Sequence, residues 1–317
     1  MIVITLGMGI CGNGAPAGVI FAPLAGAACP GFGGGGALML LRIRIGLEVV
    51  WMDLGLAGKR ALVAAASRGL GKAMALQLAR EGAKVAICAR DEARLRAAAE
   101  EIERETGAGV EVLAVPTDLT DPAQIEHLVA TVRERWGGID ILVANAGGPP
   151  PGSFSELSDE QWEAAFQLTL MSAVRLARAV IPGMIEQRWG RLIFSTSVSV
   201  KQPIANLILS NSLRLAVIGL AKSLANELAG YNITVNSVCP GATATERLRE
   251  LIKHQAERAG VSYEEAEREF WVKEIPMGRL GRPEELAALV AFLASERAGY
   301  ITGTAIQVDG GAVRFVL

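Results

Sequence analysis

The sequence predicts an α/β domain in which a doubly wound parallel sheet is covered by helices on both faces. Short apolar runs of strand length alternate with helix-length amphipathic segments at least six times from residue 59 onward. This alternation is typical of parallel sheets, whose strands are connected by crossover helices. The first apolar run also ends in a glycine-containing turn that leads directly into a helical pattern. We therefore expect one domain of this class, with a helical insertion late in the chain.

Seven apolar runs are predicted to form the strands, because each is short and rich in Val, Ile, Leu or Ala. They are residues 61–65, 84–89, 110–116, 139–145, 191–195, 234–238 and 305–308. Amphipathic segments such as 71–81 and 91–106 lie between them and are predicted to be helices. In the second of these, Leu95, Ala98 and Ile102 recur at helical spacing.

The composition excludes several classes of protein. The chain has 317 residues with 31 Lys+Arg and 33 Asp+Glu, a net charge of −2. Without a basic excess, nucleic acid and anionic membranes are poor partners. The four Cys form no CxxC pair and there are only two His, so we predict no metal site and no disulfide framework. These features favour a cytoplasmic protein.

Residues 1–51 differ from the rest of the chain. Residues 1–41 contain no charged side chain, and residues 1–51 hold 12 of the 36 Gly. A long uncharged stretch raises the question of a membrane span, but Gly and Pro disfavour a continuous helix in water. No cation precedes Arg42, which fits a signal peptide poorly. We expect a disordered or non-native extension before a domain at 52–317, with a membrane anchor as the alternative.

The turn after the first strand predicts a phosphate-binding site. It reads Ser67-Arg68-Gly69-Leu70-Gly71 and precedes a helix. Glycine at such a turn lets backbone N–H groups and the helix N-terminus approach a pyrophosphate, as in a Rossmann-type sheet. A tight turn without a ligand is the alternative.

The second strand indicates which dinucleotide is bound. It ends in Cys88-Ala89-Arg90, without an acidic residue to accept from a ribose 2′-hydroxyl. Arg68 and Arg90 are placed to accommodate a 2′-phosphate instead, which favours NADP and leaves NAD as the alternative. Taken alone, each arginine would be interpreted as a solvated surface charge.

Further motifs follow in order along residues 52–314. They are Thr117-Asp118-Leu119-Thr120, Asn145-Ala146-Gly147, Pro240-Gly241 with Thr245, Gly281-Arg282-Pro283-Glu284-Glu285, and Val308-Asp309-Gly310-Gly311. With them the chain resembles the short-chain dehydrogenase/reductase family, nearest to its 3-oxoacyl-carrier-protein reductase-like members. The resemblance implies that Asp118 contacts the adenine, that Asn145, Ala146 and Gly147 line the cofactor site, and that Pro240, Gly241 and Thr245 hold the nicotinamide end.

The glycine turn departs from the family pattern. The family's Thr and first Gly fall on Ala64 and Ala65. We expect the methyl group of Ala65 to be tolerated if its φ stays negative, with weakened cofactor binding because the group crowds the phosphate.

The resemblance also implies a catalytic set of Ser, Tyr, Lys and Asn. Gly219-Leu220 fixes the register, and three of the four positions are changed in this chain. The Ser is retained as Ser197, whereas the Tyr, Lys and Asn positions hold Ser210, Arg214 and Thr169. An alkyl hydroxyl is a much weaker acid than a phenol, and Arg cannot give up a proton as Lys can. We expect Ser210 and Arg214 to orient a carbonyl and stabilise developing negative charge, with poor proton transfer, and Arg214 is also expected to hold a ribose hydroxyl of the cofactor.

Other side chains are candidates to replace the acid that is missing at the Tyr position. Tyr263 and His254 lie in the charged segment 246–274, where 14 of 29 residues are charged, and Lys201 follows Ser197 in a loop. The segment is interpreted as a lid, because it follows Pro240-Gly241; a solvated helical excursion is the alternative. Tyr231 and Tyr300 are expected to be structural, Lys222 lies too far along its helix, and Cys88 and Cys239 are expected to be buried.

Two functions remain open from the sequence. The first is an NADP-dependent oxidoreductase that acts on a small-molecule carbonyl, secondary alcohol or acyl-thioester substrate. The alternative is a catalytically impaired dinucleotide-binding sensor or partner subunit. The resemblance also implies a homotetramer, with contacts from the helix that begins near Trp162, the helix after Ser210 and the last strand.

Overall fold

The computed structural model describes residues 52–107 and 109–316. The predictions made for residues 1–51 lie outside this part of the chain.

Seven parallel strands form one sheet in the order β3-β2-β1-β4-β5-β6-β7, as the apolar runs predict. The strands are β1 (Arg60–Val63), β2 (Lys84–Ala89), β3 (Val112–Pro116), β4 (Ile141–Ala144), β5 (Gly190–Ser195), β6 (Ile233–Pro240) and β7 (Ala305–Val308). Each central strand is buried along almost its whole length, because helices cover both faces.

The helices of the described residues complete a doubly wound fold. They are α1 (Gly69–Arg80), α2 (Glu92–Thr106), α3 (Pro122–Trp136), α4 (Asp159–Phe166), α5 (Ser172–Gln187), α6 (Ile208–Leu228), α7 (Glu246–Ala259), α8 (Tyr263–Glu267) and α9 (Pro283–Ala294). Helices α1, α2 and α9 pack in the apolar core of one sheet face, and α3, α5 and α6 in that of the other. The predicted fold class is confirmed.

The strand order places a crevice between β1 and β4. The chain runs outward from β1 to β3 in one direction and from β4 to β7 in the other. Helices therefore leave these two neighbouring strands on opposite faces, which opens a crevice at their carboxyl ends. At the amino ends of the same two strands, Arg60 of β1 and Asp140, just before β4, form an ion pair of 2.6 Å.

One predicted helix is divided in the structure. The segment expected to be helical at 162–179 consists of α4, a π-helical turn at Gln167–Met171 and α5. The π turn places Thr169 in a buried position. Such turns are frequent at functional sites, because the extra residue shifts the side chains around it.

The charged segment 246–274 is helical, as expected. Helices α7 and α8 and a π turn at Arg268–Val272 share a small apolar cluster of their own, in which Leu248, Ile252 and Ala266 are buried. The segment is therefore a packed substructure on the domain.

Two helical stretches are long and apolar enough to cross a membrane by length and composition, Asp159–Gln187 and Ile208–Tyr231. Both contribute side chains to the core beneath one face of the sheet. Burial inside the domain covers 39% and 33% of the apolar windows of these helices, so the packing accounts for part of their apolar composition.

Candidate active site

The glycine turn after β1 has a backbone that the sequence analysis did not anticipate. Ala65 has a φ of +50°, in the left-handed region, so the negative φ under which its methyl group would be readily accepted is not what the structure shows. The reason is that the turn keeps the path a glycine would take, and Asn145 Nδ2 holds the Ala65 carbonyl at 3.3 Å. A left-handed alanine costs about 1–2 kcal/mol relative to glycine.

The two glycines of the turn are needed for close approach. A Cβ on Gly71 would lie 2.2 Å from the Ala65 carbonyl oxygen, so α1 packs against the turn only with glycine there. Gly69 has a φ of +57°, which favours glycine. Ser67 and Leu70 complete the turn at half-buried positions.

The start of α1 is suited to a phosphate. Its first turn contains no acidic residue, and no side chain caps its N–H groups. These donors and the positive end of the helix dipole therefore remain available to an anion. The turn and helix together fit the pyrophosphate that the sequence predicts.

The two arginines expected at a 2′-phosphate are both exposed near the turn. Arg68 Nη1 lies 3.3 Å from Glu246 Oε2, the first residue of α7. Arg90 is exposed at the end of β2. The neighbouring Asp91 is used as the N-cap of α2, since its Oδ1 accepts from Arg94 N at 3.0 Å. Asp91 is therefore engaged by α2 and does not take the place of the acidic residue that the end of β2 lacks.

The other predicted cofactor residues lie at carboxyl ends of the central strands. Asp118 follows β3, and its Oδ1 accepts from the amide and hydroxyl of Thr120 at 2.9 and 2.8 Å. Asn145, Ala146 and Gly147 follow β4; a Cβ on Gly147 would meet no atom within 4 Å, so space is open there. This strand edge is where the sequence places the cofactor.

The segment after β6 reaches across the crevice. Pro240 is the last residue of β6, and a Cβ on Gly241 would lie 2.8 Å from Asp309, which explains the glycine. Thr245 caps α7 by accepting from Leu248 N at 3.3 Å. Its side chain would lie 3.6 Å from a Cβ on Gly69, so it faces the phosphate-binding turn.

Three serines are linked by hydrogen bonds beside the end of β5. Ser197 begins a 3-10 turn and accepts a hydrogen bond from Ser199 N at 3.1 Å. Ser199 Oγ lies 3.3 Å from Ser210 Oγ on α6. The structure therefore links the two predicted residues Ser197 and Ser210 through Ser199, which the sequence analysis missed. Ser199 stands two residues after Ser197, and that proximity was the available signal.

Arg214 lies one helical turn after Ser210 and is buried, with 8% of its surface exposed. Its Nη1 donates to the carbonyl oxygens of Ser195 and Thr196 at 3.2 and 3.0 Å. Burial, and next the charge of Arg247, lower the pKa of Arg214 to about 10. It remains a cation at neutral pH, and its neighbours along the chain supply dipoles rather than a negative charge.

Thr169 and Arg214 line the same small cavity, of about 10 Å³, with Asn145, Ser195 and Thr196. Thr169 Oγ1 is buried and has no hydrogen-bond partner among the described residues. The space is comparable with that of one water molecule. A larger cavity of about 310 Å³ lies between α3 and α5, near Gly137 and Gln187, and contains none of the predicted site residues.

The candidate replacement acids are placed differently. Tyr263 packs in the apolar cluster of segment 246–274; burial, then the charge and hydrogen bond of Glu267, raise its pKa. His254 is exposed and faces Glu257 on the same helix at 3.6 Å. Lys201 directly follows the serine turn and is half-buried. Of the three, only Lys201 is tied by the chain to the serine cluster.

Apart from Cys239, whose Sγ lies 3.2 Å from Thr196 Oγ1 next to Ser197, the remaining candidate side chains lie away from the serine cluster. Tyr300 is fully exposed, and Tyr231 lies at the far end of α6 near Arg188. Lys222 faces Gly303. Cys88 and Cys239 are fully buried, and burial raises the pKa of the Cys88 thiol to about 12. Both cysteines are buried, as predicted, and burial also raises the pKa of the Cys239 thiol.

A parallel sheet with a phosphate-binding turn after β1 and hydroxyl donors after β5 defines a dinucleotide-dependent oxidoreductase. A family model described as enoyl-(acyl carrier protein) reductase matches residues 64–313. The chain belongs to the short-chain dehydrogenase/reductase family, and the resemblance seen in the sequence is confirmed.

Relatives extend over nearly the whole domain. The chain is 39% identical over 256 residues to the 3-oxoacyl-acyl-carrier-protein reductase FabG of Escherichia coli (strain K12), covering 80% of this chain and 97% of the relative. A putative ketoacyl reductase of Streptomyces coelicolor is 37% identical over 253 residues, covering 79% and 95%. These similarities confirm a 3-oxoacyl-carrier-protein reductase-like chain.

A solved structure gives the same result. The L-sorbose reductase of Gluconobacter frateurii, in complex with NADPH and L-sorbose, superposes with a TM-score of 0.81 at 36% identity. The match covers 84% of this chain and all of that one. The cofactor of this neighbour agrees with the NADP that the sequence predicts.

Proposed function

We propose that the protein is an NADP-dependent oxidoreductase that reduces the carbonyl group of a small molecule, and that the three linked serines and Arg214 hold the substrate oxygen. The observation that supports this most directly is the serine cluster at the crevice, where Ser199 joins Ser197 and Ser210 beside a buried cation. This arrangement provides hydroxyl donors and positive charge where a reduced oxygen needs them.

The described residues fit the cofactor. The uncapped start of α1 takes the pyrophosphate, while Arg68 and Arg90 take the 2′-phosphate of NADP. Asp118 lies at the adenine end, and Asn145, Ala146, Gly147, Pro240, Gly241 and Thr245 line the nicotinamide end. Bound NADPH supplies the hydride that is added to the carbonyl carbon.

The chain's own residues deal with the negative charge that develops on the carbonyl oxygen. Ser197 accepts from the Ser199 amide, which leaves its hydroxyl hydrogen free to donate to the substrate. Ser210 donates on the other side, and the Arg214 cation stabilises the developing charge. The proton that completes the alcohol passes from Ser210 and is replaced through Ser199 from solvent. A serine hydroxyl is a weak acid, so this step is expected to be slower than with a phenol.

Turnover distinguishes this proposal from a dinucleotide-binding sensor. NADPH is titrated by fluorescence, and its oxidation is then followed by absorbance with ketones, 2- and 3-oxo acids and 3-oxoacyl thioesters. We expect tight binding and measurable oxidation that is lost in Ser210→Ala. Tight binding of NADPH without its oxidation by any of these compounds would favour the sensor.

Further features of the proposal concern the whole protein. We propose that segment 246–274 is the substrate lid, because Thr245 and Arg247 at its start reach Gly69 and Gly148 on the opposite side of the crevice.

We also propose a cytoplasmic homotetramer in which 52–317 is the functional domain. Expression from Met52 should preserve folding and NADPH affinity, and loss of either would contradict the domain boundary.

A further inference from the structure

The carboxyl ends of β4 and β5 carry positively charged groups that lack negative partners. Arg214 bonds only to the carbonyl oxygens of Ser195 and Thr196. Arg247, at the start of α7, reaches back over the crevice, and its Nη1 lies 3.4 Å from the carbonyl oxygen of Gly148, just past β4. Among the described residues, neither guanidinium has a carboxylate within the 4.0 Å of an ion pair.

Arg247 and Arg214 lie over the carboxyl ends of two neighbouring strands, β4 and β5. The charge of Arg247 is the second cause, after burial, that lowers the pKa of Arg214. Glu246, the residue next to Arg247 in the chain, is paired with Arg68 of the phosphate-binding turn. The half-buried Lys201 adds a third cation next to the serine turn. Arg247 is exposed, whereas Arg214 is buried. A buried cation without a carboxylate partner favours an anion beside it, and the exposed Arg247 adds positive charge at the entrance.

The cofactor phosphates do not account for this charge. The pyrophosphate site is the start of α1, after β1, and the 2′-phosphate site is formed by Arg68 and Arg90. Arg247 lies over the end of β4, one strand further along the sheet, and Arg214 lies at the end of β5, two strands further and one helical turn after Ser210. Their position is that of the substrate, not of the phosphates.

We propose that the substrate is an oxo acid, whose free carboxylate is bound by Arg247 and Arg214 while its carbonyl oxygen faces the serines. This inference rests on the proposed reductase function. Guanidinium groups bind carboxylates through paired, charge-assisted hydrogen bonds. Arg214 also stabilises the oxygen that becomes negative, so the carboxylate brings the site close to neutrality before the hydride arrives.

The test compares short-chain 2- and 3-oxo acids with their methyl esters, which keep the shape and remove the charge. The wild-type enzyme is expected to favour the acids in kcat/KM by at least about 10-fold. Arg247→Leu should raise KM for the acids about 10- to 100-fold, as the loss of a charge-assisted bond implies, and change the esters less than about 2-fold. Arg249→Leu is the matched control, because it removes the same charge two residues further along α7, near Tyr263.

Binding provides a second readout that does not need turnover. With NADPH present, an oxo acid should raise the melting temperature of the wild-type protein more than its ester does, and this difference should vanish in Arg247→Leu. Equal use of acids and esters, or a preference that survives in Arg247→Leu, would overturn the inference. The inference would also be overturned if Arg247→Leu bound NADPH more weakly and still preferred the acids over their esters. Absence of NADPH oxidation with every compound would instead contradict the proposed function, while the melting comparison still tests the carboxylate site.

Discussion

Ser199 Oγ lies 3.3 Å from Ser210 Oγ, and this contact joins the loop after β5 to helix α6 at the centre of the candidate site. The same Ser199 donates its amide to Ser197. Ser199 therefore connects Ser197, through its amide, with Ser210, through its hydroxyl group, at the place where the resemblance implies a tyrosine. Catalysis at this site is expected to depend on positioning and charge stabilisation more than on acid strength.

The first prediction concerns Ser210. Ser210→Ala removes one donor to the substrate oxygen, and we expect kcat to fall about 100-fold, since oxyanion donors contribute on that scale. The affinity for NADPH, measured by fluorescence, should stay unchanged. Ser223→Ala, on the exposed part of the same helix, is the control. An unchanged kcat in Ser210→Ala would remove this residue from the mechanism.

The second prediction concerns the left-handed alanine. Ala65→Gly relieves a backbone strain of about 1–2 kcal/mol, and the added freedom of glycine in the unfolded chain offsets about 0.4–1 kcal/mol. We expect the free energy of unfolding in urea to rise by about 1 kcal/mol, and NADPH to bind more tightly because a methyl group leaves the phosphate site. Ala66→Gly is the control; the buried Ala66 has no positive φ, and this change should destabilise the protein.

The third prediction concerns the ion pair between Arg68 and Glu246. Both side chains are largely exposed, so the pair contributes little to stability. Glu246→Gln frees Arg68 for the 2′-phosphate, and we expect the Kd of NADPH to fall about 2- to 5-fold while that of NADH stays constant. The measurement is fluorescence titration at low and high salt. Equal tightening of NADH would show that Arg68 does not read the 2′-phosphate.

The fourth prediction concerns pH and the pair of Arg60 with Asp140. Burial by itself would raise the pKa of Asp140, but the hydrogen bonds from Arg60 lower it overall. A carboxyl whose pKa is lower in the folded state stabilises the protein above its unfolded pKa, about 4, and this contribution is lost as the pH falls below that value. Asp140→Asn should therefore lower the free energy of unfolding by about 2 kcal/mol at pH 7 and by less at pH 3.5. A pH-independent difference in urea denaturation would contradict this account.

The fifth prediction concerns assembly. Leu215 on α6 is 53% exposed, although the helix is apolar enough to be buried on more than one side. We expect this helix to form part of the contact between subunits, because such a surface is unfavourable in water. Leu215→Lys should reduce the sedimentation coefficient from that of the proposed tetramer to that of a smaller species. An unchanged coefficient would exclude α6 around Leu215 from the contact.

Local patterns were sufficient to predict the sheet. The seven strands were predicted within a few residues, because a buried parallel strand must be a short continuous apolar run between turns. The family motifs also appear in sequence order at the strand ends, so they place Asp118, Asn145 and Gly241 near one edge of the sheet. Chain order and the geometry of parallel strands account for the strands, and the resemblance to the family accounts for the residues at their ends.

The local conformation and charge of the site depended on distant contacts. The sequence shows an alanine at position 65, but its positive φ arises because β4, through Asn145, holds the turn in a glycine-like path. The sequence also places Arg247 in a charged segment, where a solvated side chain is the simplest interpretation. Only the packing of α7 across the crevice brings it to Gly148, one strand from Arg214. Residues far apart in the chain produce this excess of positive charge, so it follows from the tertiary structure and not from any local motif.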